Sequence, residues 1–403
     1  MLNLTRLLTG ASTEGDALRY SSHARHAEKG VSADRGPVVV WNTTRACNLS
    51  CRHCYANATP SGDSNELTHR EALAFIEDLA SFRVPVLLFS GGEPLLREDL
   101  LVLIRYAADR GIRPVVSTNG TLITREIAMQ LKEAGTGYVG VSLDGLAAQH
   151  DRFRGREGAF QLALEGIRHC REAGQRVGLR YTLSRHTLPD LEGILQLIEE
   201  EGIPRACFYH LVYTGRGKEL QAEDVSAAEA REAVLRLIRA VQDFQRRGVH
   251  TELLTVDNHA DNVLLYHYIR QHRPAEADQA LSLLYNNGGN RSGIAFGCVD
   301  ARGMVYPDQF SRDQTQALGS IRERPFSAIW SDPAEPLLVS LRDRRPLLKG
   351  RCQACPSLDL CNGNFRARAM ASGDYWGEDP SCYLSDQERQ TIPAWPAGGS
   401  GTC

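Results

Sequence analysis

The sequence has no long hydrophobic run and no secretory signal. Its longest apolar stretches, such as residues 84–89, are far shorter than the roughly 20 residues that a membrane-spanning helix needs. The first residues lack the charged start, the apolar run and the small-residue cleavage site of a signal peptide. We therefore expect a cytoplasmic protein without a membrane partner.

Neither sign of charge dominates the chain. Its 403 residues include 46 basic and 49 acidic side chains, a formal net charge of −3, which argues against nucleic acid or an anionic membrane as a partner. Hydrophobic residues make up 42% and charged residues 24%, an ordinary globular composition that argues against disorder, collagen and coiled coil. At about 150 residues per domain, the length predicts two to three domains.

Cysteine is the residue type present in an unusual number. The chain has eleven, and an odd count without a signal peptide argues against a disulfide framework and favours metal or redox chemistry. Three lie between residues 47 and 54 and four between residues 352 and 382, which indicates two separate sites. The others are scattered, and we expect two of them, Cys170 and Cys207, to be core residues.

Short apolar runs alternate with amphipathic segments from residue 37 to about residue 211. Six runs are short, rich in β-branched residues and followed by Ser, Thr, Asn, Asp or Gly, as buried parallel strands are; they begin near residues 38, 84, 114, 138, 177 and 206. The segments between them have helical spacing, and Thr68 with Glu71 predicts a capping box at the start of one helix. Six strand–helix units predict a parallel α/β array, closed or half-closed into a barrel, with its chemistry at the carboxyl ends of the strands.

The composition also predicts the domain boundaries. We expect an N-terminal extension over residues 1–36, the barrel over 37–215, a charged helical linker over 216–285, a Cys-rich domain over 286–385 and a flexible tail over 386–403. A long helix is predicted from Ala227 to Gln245 in the linker. The 286–385 segment is poor in apolar periodicity, so a metal cluster would supply stability that its own core lacks.

The first cysteine cluster is a C-x3-C-x2-C motif formed by Cys47, Cys51 and Cys54, directly after the first predicted strand. Three thiolates can hold three irons of a four-iron cluster and leave the fourth iron open, whereas a closed zinc site needs four protein ligands. His53 as a fourth zinc ligand would lie inside the loop in an awkward geometry. The spacing therefore favours an iron–sulfur cluster.

This motif, followed by Tyr55, resembles the cluster loop of radical S-adenosylmethionine (SAM) enzymes. The resemblance implies a partial (β/α)6 TIM-like barrel with a C-terminal cluster domain. It also implies a [4Fe-4S] cluster that chelates SAM and reduces it to form a 5′-deoxyadenosyl radical, and a protein such as flavodoxin or ferredoxin as electron donor. Iron–sulfur potentials reach about −700 mV, which is within the range that this reduction needs.

Further motifs of that family follow successive predicted strands. The second strand leads into Gly91-Gly92-Glu93-Pro94, which resembles the segment that receives the SAM amino group. The resemblance implies ribose and carboxylate contacts on the next three strands, from Ser117, Asn119, Ser142, Asp144 and Arg180. One such motif alone is weak, but their ordered occurrence at strand ends makes coincidence negligible.

The second cluster comprises Cys352, Cys355, Cys361 and Cys382, and its spacing alone would suggest structural zinc. Within this family it resembles the SPASM extension, which binds auxiliary [4Fe-4S] clusters through seven cysteines. Here Phe365 occupies one expected cysteine position, and the preceding region offers only Cys298. We therefore predict one auxiliary cluster with four cysteine ligands.

Stretches along nearly the whole chain resemble the tetrapyrrole-modifying enzymes of d1-haem and of sirohaem-dependent haem biosynthesis. The resemblance implies an iron tetrapyrrole substrate of the didecarboxysirohaem type, from which peripheral acetate or propionate groups are removed or replaced. Arginines in the same stretches are candidates for binding its carboxylates, namely Arg152, Arg154, Arg216 and Arg291. The candidates for iron ligation or proton transfer are His210, Asp257 and His259.

One departure leaves an alternative open. Tyr306 stands where this subgroup has a histidine, so the substrate could differ. A SPASM-type maturase of a ribosomal peptide or protein is the alternative function, although residues 1–36 are too short for a leader-peptide recognition domain. A non-enzymatic iron–sulfur or zinc protein would not need the SAM motifs.

Overall fold

A computed structural model describes residues 1–13, 15–21 and 35–393. Eleven strands in this part form one sheet in the order β1-β8-β7-β6-β5-β4-β3-β2-β9-β10-β11. Their bounds are β1 (Leu2–Asn3), β2 (Val38–Thr44), β3 (Val86–Gly91), β4 (Arg113–Thr118), β5 (Tyr138–Ser142), β6 (Val177–Leu183), β7 (Arg205–His210), β8 (Glu252–Val256), β9 (Phe296–Val299), β10 (Met304–Tyr306) and β11 (Gly319–Ser320).

Helices lie between and after the strands in this part of the chain. They are α1 (Leu4–Thr9), α2 (Asp16–Arg19), α3 (His69–Ser81), α4 (Leu100–Asp109), α5 (Arg125–Glu133), α6 (Ala147–Arg154), α7 (Ala159–Glu172), α8 (Leu191–Glu200), α9 (Ala227–Arg247), α10 (Ala260–His272), α11 (Ala277–Asn287), α12 (Phe326–Trp330), α13 (Pro336–Arg342), α14 (Leu358–Cys361), α15 (Arg366–Ala371) and α16 (Asp386–Gln390). None of these helices combines the length and the apolar character needed to cross a membrane.

The six predicted strands are present as β2 to β7, and each pairs in parallel with the next. Local signals explain the helices between them. The Thr68 side chain accepts from the Glu71 amide, and the Glu71 side chain accepts from the Thr68 amide, so the predicted capping box starts α3. The apolar faces of α3, α4 and α8 are buried in the same core as the outward-facing residues of the strands.

The parallel array does not stop at β7. The segment predicted as a helical linker contains α9, as expected, but also β8, which pairs in parallel with β7. All five residues of β8 are buried, and so short an apolar run is difficult to distinguish from part of a helix by periodicity. The barrel therefore contains seven parallel strands and extends past the predicted boundary at residue 215.

Further strands extend both edges of the parallel array. On one edge, β1 pairs with β8, so residues predicted as an extension belong to the barrel. On the other edge, β9 pairs in parallel with β2 and forms a hairpin with β10. The sheet thereby joins the C-terminal part of the chain to the barrel.

The C-terminal part shares the main core, contrary to the expectation that it would lack one. The Phe326 ring of α12 packs edge-on against Phe75 of α3 at 6.3 Å between centroids, and it stacks on Trp330 at 5.4 Å. The predicted tail begins with α16, and residues 394–403 lie outside the described residues.

Candidate active site

Cys47, Cys51 and Cys54 lie on the loop that follows β2. The Cys47 amide donates to the Thr59 carbonyl at 2.9 Å, and the Cys54 amide donates to the Cys51 carbonyl at 3.4 Å, so the loop folds back on itself. The three cysteines share one small apolar cluster with Leu49, Ala58 and Ala159. The predicted triad is therefore brought together.

Burial is the main influence on the protonation of Cys47 and Cys51. The pKa of Cys47 is raised to about 12, chiefly by burial and in smaller part by the nearby Cys51 and Cys54. A metal centre reverses this effect, because coordinating thiols lose their protons outright. The triad thus fits a cluster that three thiolates hold.

Arg154, at the end of α6, supplies a positive charge beside the triad. Its Nη1 donates to Cys51 Sγ at 3.6 Å, and its Nη2 pairs with the Asp144 carboxylate. Both side chains of this pair are buried, which keeps the charge close to the thiol. Asp144 also accepts from the Thr182 amide at 2.6 Å, so its carboxylate is fully engaged.

The Gly91-Gly92-Glu93 segment packs against the cluster loop itself. A Cβ at Gly92 would lie 2.1 Å from the Ala46 carbonyl oxygen, and one at Gly91 would lie 2.4 Å from that of Thr44. Both glycines are therefore required by the approach of two backbone segments of this chain.

Glu93 is completely buried at the strand ends. Its carboxylate accepts from the Thr118 hydroxyl at 2.7 Å, from the Asn119 amide at 2.8 Å and from the Leu95 amide at 3.1 Å. Burial raises its pKa, and these three donors oppose the rise. Glu93 thus fixes the end of β3 to the end of β4.

Asn119 extends this network to the cysteines. Its side-chain amide donates to Asn48 Oδ1 at 2.8 Å and lies 4.0 Å from Cys47 Sγ. Polar groups from the ends of β3 and β4 therefore surround the same loop.

Arg180 of β6 lies across the inner face of the barrel. Its Nη1 donates to the Ser117 hydroxyl at 2.5 Å, and Ser142 is its register partner on β5. A Cβ at Gly140 would lie 2.3 Å from Arg180 Nε, so glycine leaves the space that the side chain occupies. The predicted residues of β4, β5 and β6 thus meet on one inner surface.

Tyr55 connects the cluster loop to the barrel and to the C-terminal part. Its hydroxyl donates to Asn42 Oδ1 at 3.0 Å and lies 2.9 Å from Ser90 Oγ. Its ring packs edge-on against Phe310 at 5.4 Å.

His53 lies within the cluster loop, between Cys51 and Cys54. From the sequence, its only suggested role was that of a fourth zinc ligand. Its ring stacks on Phe153 with 4.6 Å between centroids, and its Nε2 lies 3.4 Å from the Asp144 carboxylate. Its buried Nδ1 has no hydrogen-bond partner in the described residues. The sequence feature that could have indicated its place at the site is an aromatic ring directly before Cys54.

The four cysteines of the second cluster also converge. Burial raises the pKa of Cys361 well above its ordinary value, and Cys382, Cys352 and Cys355 raise it further by their proximity. The Asn290 amide donates to the Cys361 carbonyl at 3.1 Å. The loop before β9 therefore packs on this second site.

The three candidate proton-transfer residues lie at the end of β7 and in the segment after β8. His210 Nε2 is 3.0 Å from Asp261 Oδ2, so this histidine is already paired. Burial raises the pKa of Asp257 to about 7. The His259 ring stacks on the Phe365 ring with 5.9 Å between their centroids. Phe365 is the residue that occupies one expected cysteine position of the SPASM extension.

Three of the four candidate arginines have other roles. Arg152 is exposed and donates to Gln149, and Arg154 is committed to Asp144 and Cys51. Arg216 donates to the carbonyls of Cys51 at 2.8 Å and Ala58 at 2.9 Å. Arg154 and Arg216 therefore hold the cluster loop, a role that the sequence did not predict for them. Arg291, the fourth, lies in the loop before β9.

We expect stability to decrease with pH below about 6.5, in part through His150. Burial lowers the pKa of this imidazole to about 3, and its Nδ1 accepts from the Asp144 amide at 2.9 Å. The unfolded chain binds a proton below its ordinary pKa of about 6.5, whereas the folded chain does not, so stability is present above that pH and is lost as pH falls. At pH 5.5 the loss from this residue is about 1.4 kcal/mol.

The measurement is urea unfolding at pH 7.5 and 5.5. His150→Asn, which keeps an acceptor, should lack this part of the pH dependence, whereas His250→Asn at an exposed position should retain it. Identical pH dependence in wild type and His150→Asn would contradict the expectation.

Comparison with known proteins gives the family. Residues 41–198 match the model of the radical SAM superfamily. Fe-coproporphyrin III synthase of Methanosarcina barkeri is 48% identical over 395 residues, which cover 96% of this chain and 98% of that protein. The chain belongs to the radical SAM superfamily. Pre-heme d1 synthase of Dinoroseobacter shibae is 41% identical over 358 residues, covering 88% of each chain, so this radical SAM enzyme falls among haem-related relatives.

Solved structures confirm the fold of this radical SAM enzyme. Streptococcus suis SuiB bound to the precursor peptide SuiA superposes with a TM-score of 0.70 at 17% identity, covering 91% of this chain and 79% of SuiB. Native anSMEcpe with bound AdoMet superposes with a TM-score of 0.66 at 18% identity, covering 86% of this chain and 93% of anSMEcpe. The family and the barrel fold predicted from the sequence are thereby confirmed.

Proposed function

We propose that this enzyme removes or modifies peripheral acetate or propionate side chains of an iron tetrapyrrole of the didecarboxysirohaem type, in haem or d1-haem biosynthesis. The observation that carries the proposal is the 48% identity, over 96% of the chain, to a protein named Fe-coproporphyrin III synthase. Similarity to a pre-heme d1 synthase supports the same substrate class.

The residues of the barrel suit the cofactors of this chemistry. When bound, the [4Fe-4S] cluster and SAM supply the 5′-deoxyadenosyl radical that abstracts hydrogen from substrate. Cys47, Cys51 and Cys54 would hold the cluster, with Arg154 beside one thiolate. The inner surface formed by the strand ends would hold SAM, through Tyr55, Ser117, Asn119, Ser142 and Arg180. The residues Gly91, Gly92, Glu93 and Asp144 would shape and fix that surface.

The candidates for substrate protonation or iron ligation are His210, Asp257 and His259. All three are buried between the strand ends and the C-terminal part. Burial holds the pKa of His259 well below its ordinary value, so its imidazole is neutral and offers a nitrogen lone pair to a metal or a hydrogen-bond donor. Asp257, with a pKa of about 7, can exchange a proton near neutral pH.

We further propose one auxiliary [4Fe-4S] cluster on Cys352, Cys355, Cys361 and Cys382. The support for it is that Cys352, Cys355 and Cys382 all lie close enough to Cys361 to raise the pKa of its thiol. Ligation by four cysteines favours electron transfer or structural stability over substrate binding. A one-electron donor such as flavodoxin or ferredoxin would reduce the clusters.

Metal content tests the auxiliary site. Anaerobically reconstituted protein should contain about eight irons per chain, from two four-iron clusters. Cys355→Ala should reduce this to about four, whereas Cys170→Ala, which removes a buried core thiol, should leave it unchanged. Iron and zinc are measured together by elemental analysis, and tightly bound zinc would contradict the auxiliary cluster.

Turnover tests the function itself. Reconstituted enzyme is incubated anaerobically with SAM, dithionite and didecarboxysirohaem, and the products are read by mass spectrometry. We expect 5′-deoxyadenosine together with a tetrapyrrole whose mass has changed by the loss or alteration of acid side chains. SAM cleavage with an unchanged tetrapyrrole, also when iron coproporphyrin III replaces the first substrate, would contradict the proposal.

A peptide or protein maturase is the second candidate. Its support is the fold shared with SuiB and the similarity to mycofactocin maturases, which are 28% identical over 368 residues, covering 90% of this chain and 86% of the relative. The lower identity places it behind the tetrapyrrole proposal.

A further inference from the structure

A cavity of about 390 Å³ lies between the cluster loop and the C-terminal part. One wall is the segment that contains Tyr55, a second is the segment from Thr214 to Lys218, and the third runs from the β9–β10 hairpin to Asp313. The cavity adjoins the inner surface of the barrel, because Tyr55 hydrogen bonds with Asn42 of β2 and lies within reach of Ser90 of β3.

Four cationic side chains line this cavity, and two of them are already paired. Arg302 binds the Asp63 carboxylate through Nε at 2.8 Å and Nη2 at 2.5 Å, and Arg45 approaches the same carboxylate at 3.3 Å. The other two are Arg312 and Lys218, which is exposed.

Arg312 differs from the paired cations in what surrounds it. Its Nη1 is buried and has no hydrogen-bond partner in the part of the chain that the structure describes. The pKa of Tyr55 and that of Tyr306 are each raised to about 12, chiefly by burial. The positive charge of Arg312 lies close enough to both hydroxyls to oppose this rise. Arg312 thus lies close to Tyr55 and Tyr306, and all three residues line the cavity.

The acidic residues near Arg312 are engaged elsewhere. Asp308 accepts from the amides of Phe310 and Ser311, both at 2.8 Å. Asp313 accepts from the Thr315 amide at 3.0 Å. Within residues 35–393, no carboxylate lies within ion-pair distance of Arg312, so a buried donor of a guanidinium is left for a ligand.

We propose that Arg312 binds a carboxylate of the substrate in this cavity, with the Tyr306 hydroxyl beside it. A planar guanidinium offers paired N–H groups that match a carboxylate, and burial strengthens the pairing. Tyr306 is 8% exposed and packs with Val40 and Cys298 at the inner surface. This inference rests on the proposed function, because a tetrapyrrole with acid side chains supplies the anion.

The test compares two ligands that differ only in charge. Binding of iron coproporphyrin III and of its tetra-amide to cluster-reconstituted enzyme is measured by absorbance titration. Arg312→Gln should weaken binding of the tetra-acid about tenfold to a hundredfold, the range of a lost charged hydrogen bond, and leave binding of the tetra-amide unchanged. Arg312→Lys keeps the positive charge but lacks the paired N–H groups of a guanidinium, so it should give an intermediate loss of affinity for the tetra-acid.

The matched control is Arg302→Gln. It removes an equal charge from the same cavity, but from a side chain that Asp63 already neutralises, so the affinity for the tetra-acid should not change. Iron content and circular dichroism establish that each variant is folded and holds its clusters.

Unchanged affinity of Arg312→Gln for the tetra-acid would overturn this inference. An equal loss of affinity for both ligands would also overturn it, because Arg312 would then contribute only to the shape of the cavity. Either result would leave the proposed function intact. Wild-type enzyme that binds neither ligand would overturn the proposed function instead, and the two failures are therefore distinguishable.

Discussion

Cys51→Ala is expected to abolish SAM cleavage, to below a thousandth of the wild-type rate, while the fold is retained. The Cys51 thiol lies in the same buried loop as Cys47 and Cys54, and all three are needed to hold a four-iron cluster with one open iron. Formation of 5′-deoxyadenosine with dithionite, measured by chromatography, gives the rate. Cys47→Ala and Cys54→Ala should behave in the same way.

Cys170→Ala is the control for this prediction. Cys170 is completely buried in the core on α7 and contacts none of the cluster loop described above, so its removal tests the loss of a buried thiol alone. We expect near wild-type cleavage in that variant. Wild-type rates in Cys51→Ala would contradict the assignment of the triad to the SAM cluster.

Arg368→Met is expected to destabilise the protein by about 3 to 5 kcal/mol, because it leaves a buried carboxylate without its partner. Arg368 and Asp379 are 0% and 1% exposed, and Arg368 Nη2 is 2.9 Å from the carboxylate. The same guanidinium donates to the carbonyls of Leu211 and Asp257, at 3.0 and 2.6 Å. One side chain therefore fixes α15 to the segments after β7 and β8.

Urea unfolding of the reconstituted protein, followed by circular dichroism, measures this loss. The control is Arg345→Met, which breaks an ion pair with Asp359 whose side chains are about half exposed. Exposed pairs contribute about 0 to 1 kcal/mol, so this variant should remain close to wild type. Equal unfolding free energies in the two variants would contradict a structural role for the buried pair.

The family and the barrel could be predicted from the sequence because their signals are local. The C-x3-C-x2-C spacing and the polar residues after each apolar run are fixed by short segments of chain. The site residues that escaped prediction depend on distant partners. Arg154 and Arg216 looked like free cations, and only the fold shows that they hold Cys51, 103 and 165 positions away in sequence.

Arg312 illustrates the converse case. It is one of many arginines in the sequence, and nothing in its neighbouring residues distinguishes it. Only the folded structure shows that its Nη1 is buried beside a cavity without a hydrogen-bond partner in the described residues. Similarly, β8 escaped prediction because burial of all five residues removes the alternation that marks a strand. Neither property can be read from a single short segment.

The two edge pairings of the sheet have a consequence for biosynthesis of the protein. One edge of the parallel array is covered when Leu2 and Asn3 pair with Thr255 and Leu254, and the other when β2 pairs with β9. Ribosomes add about 5 to 20 residues per second, so both edges stay open for about 10 to 50 s after the first strands emerge. Open strand edges template aggregation, and we therefore expect the nascent chain to depend on chaperones until residues 252–299 have been made.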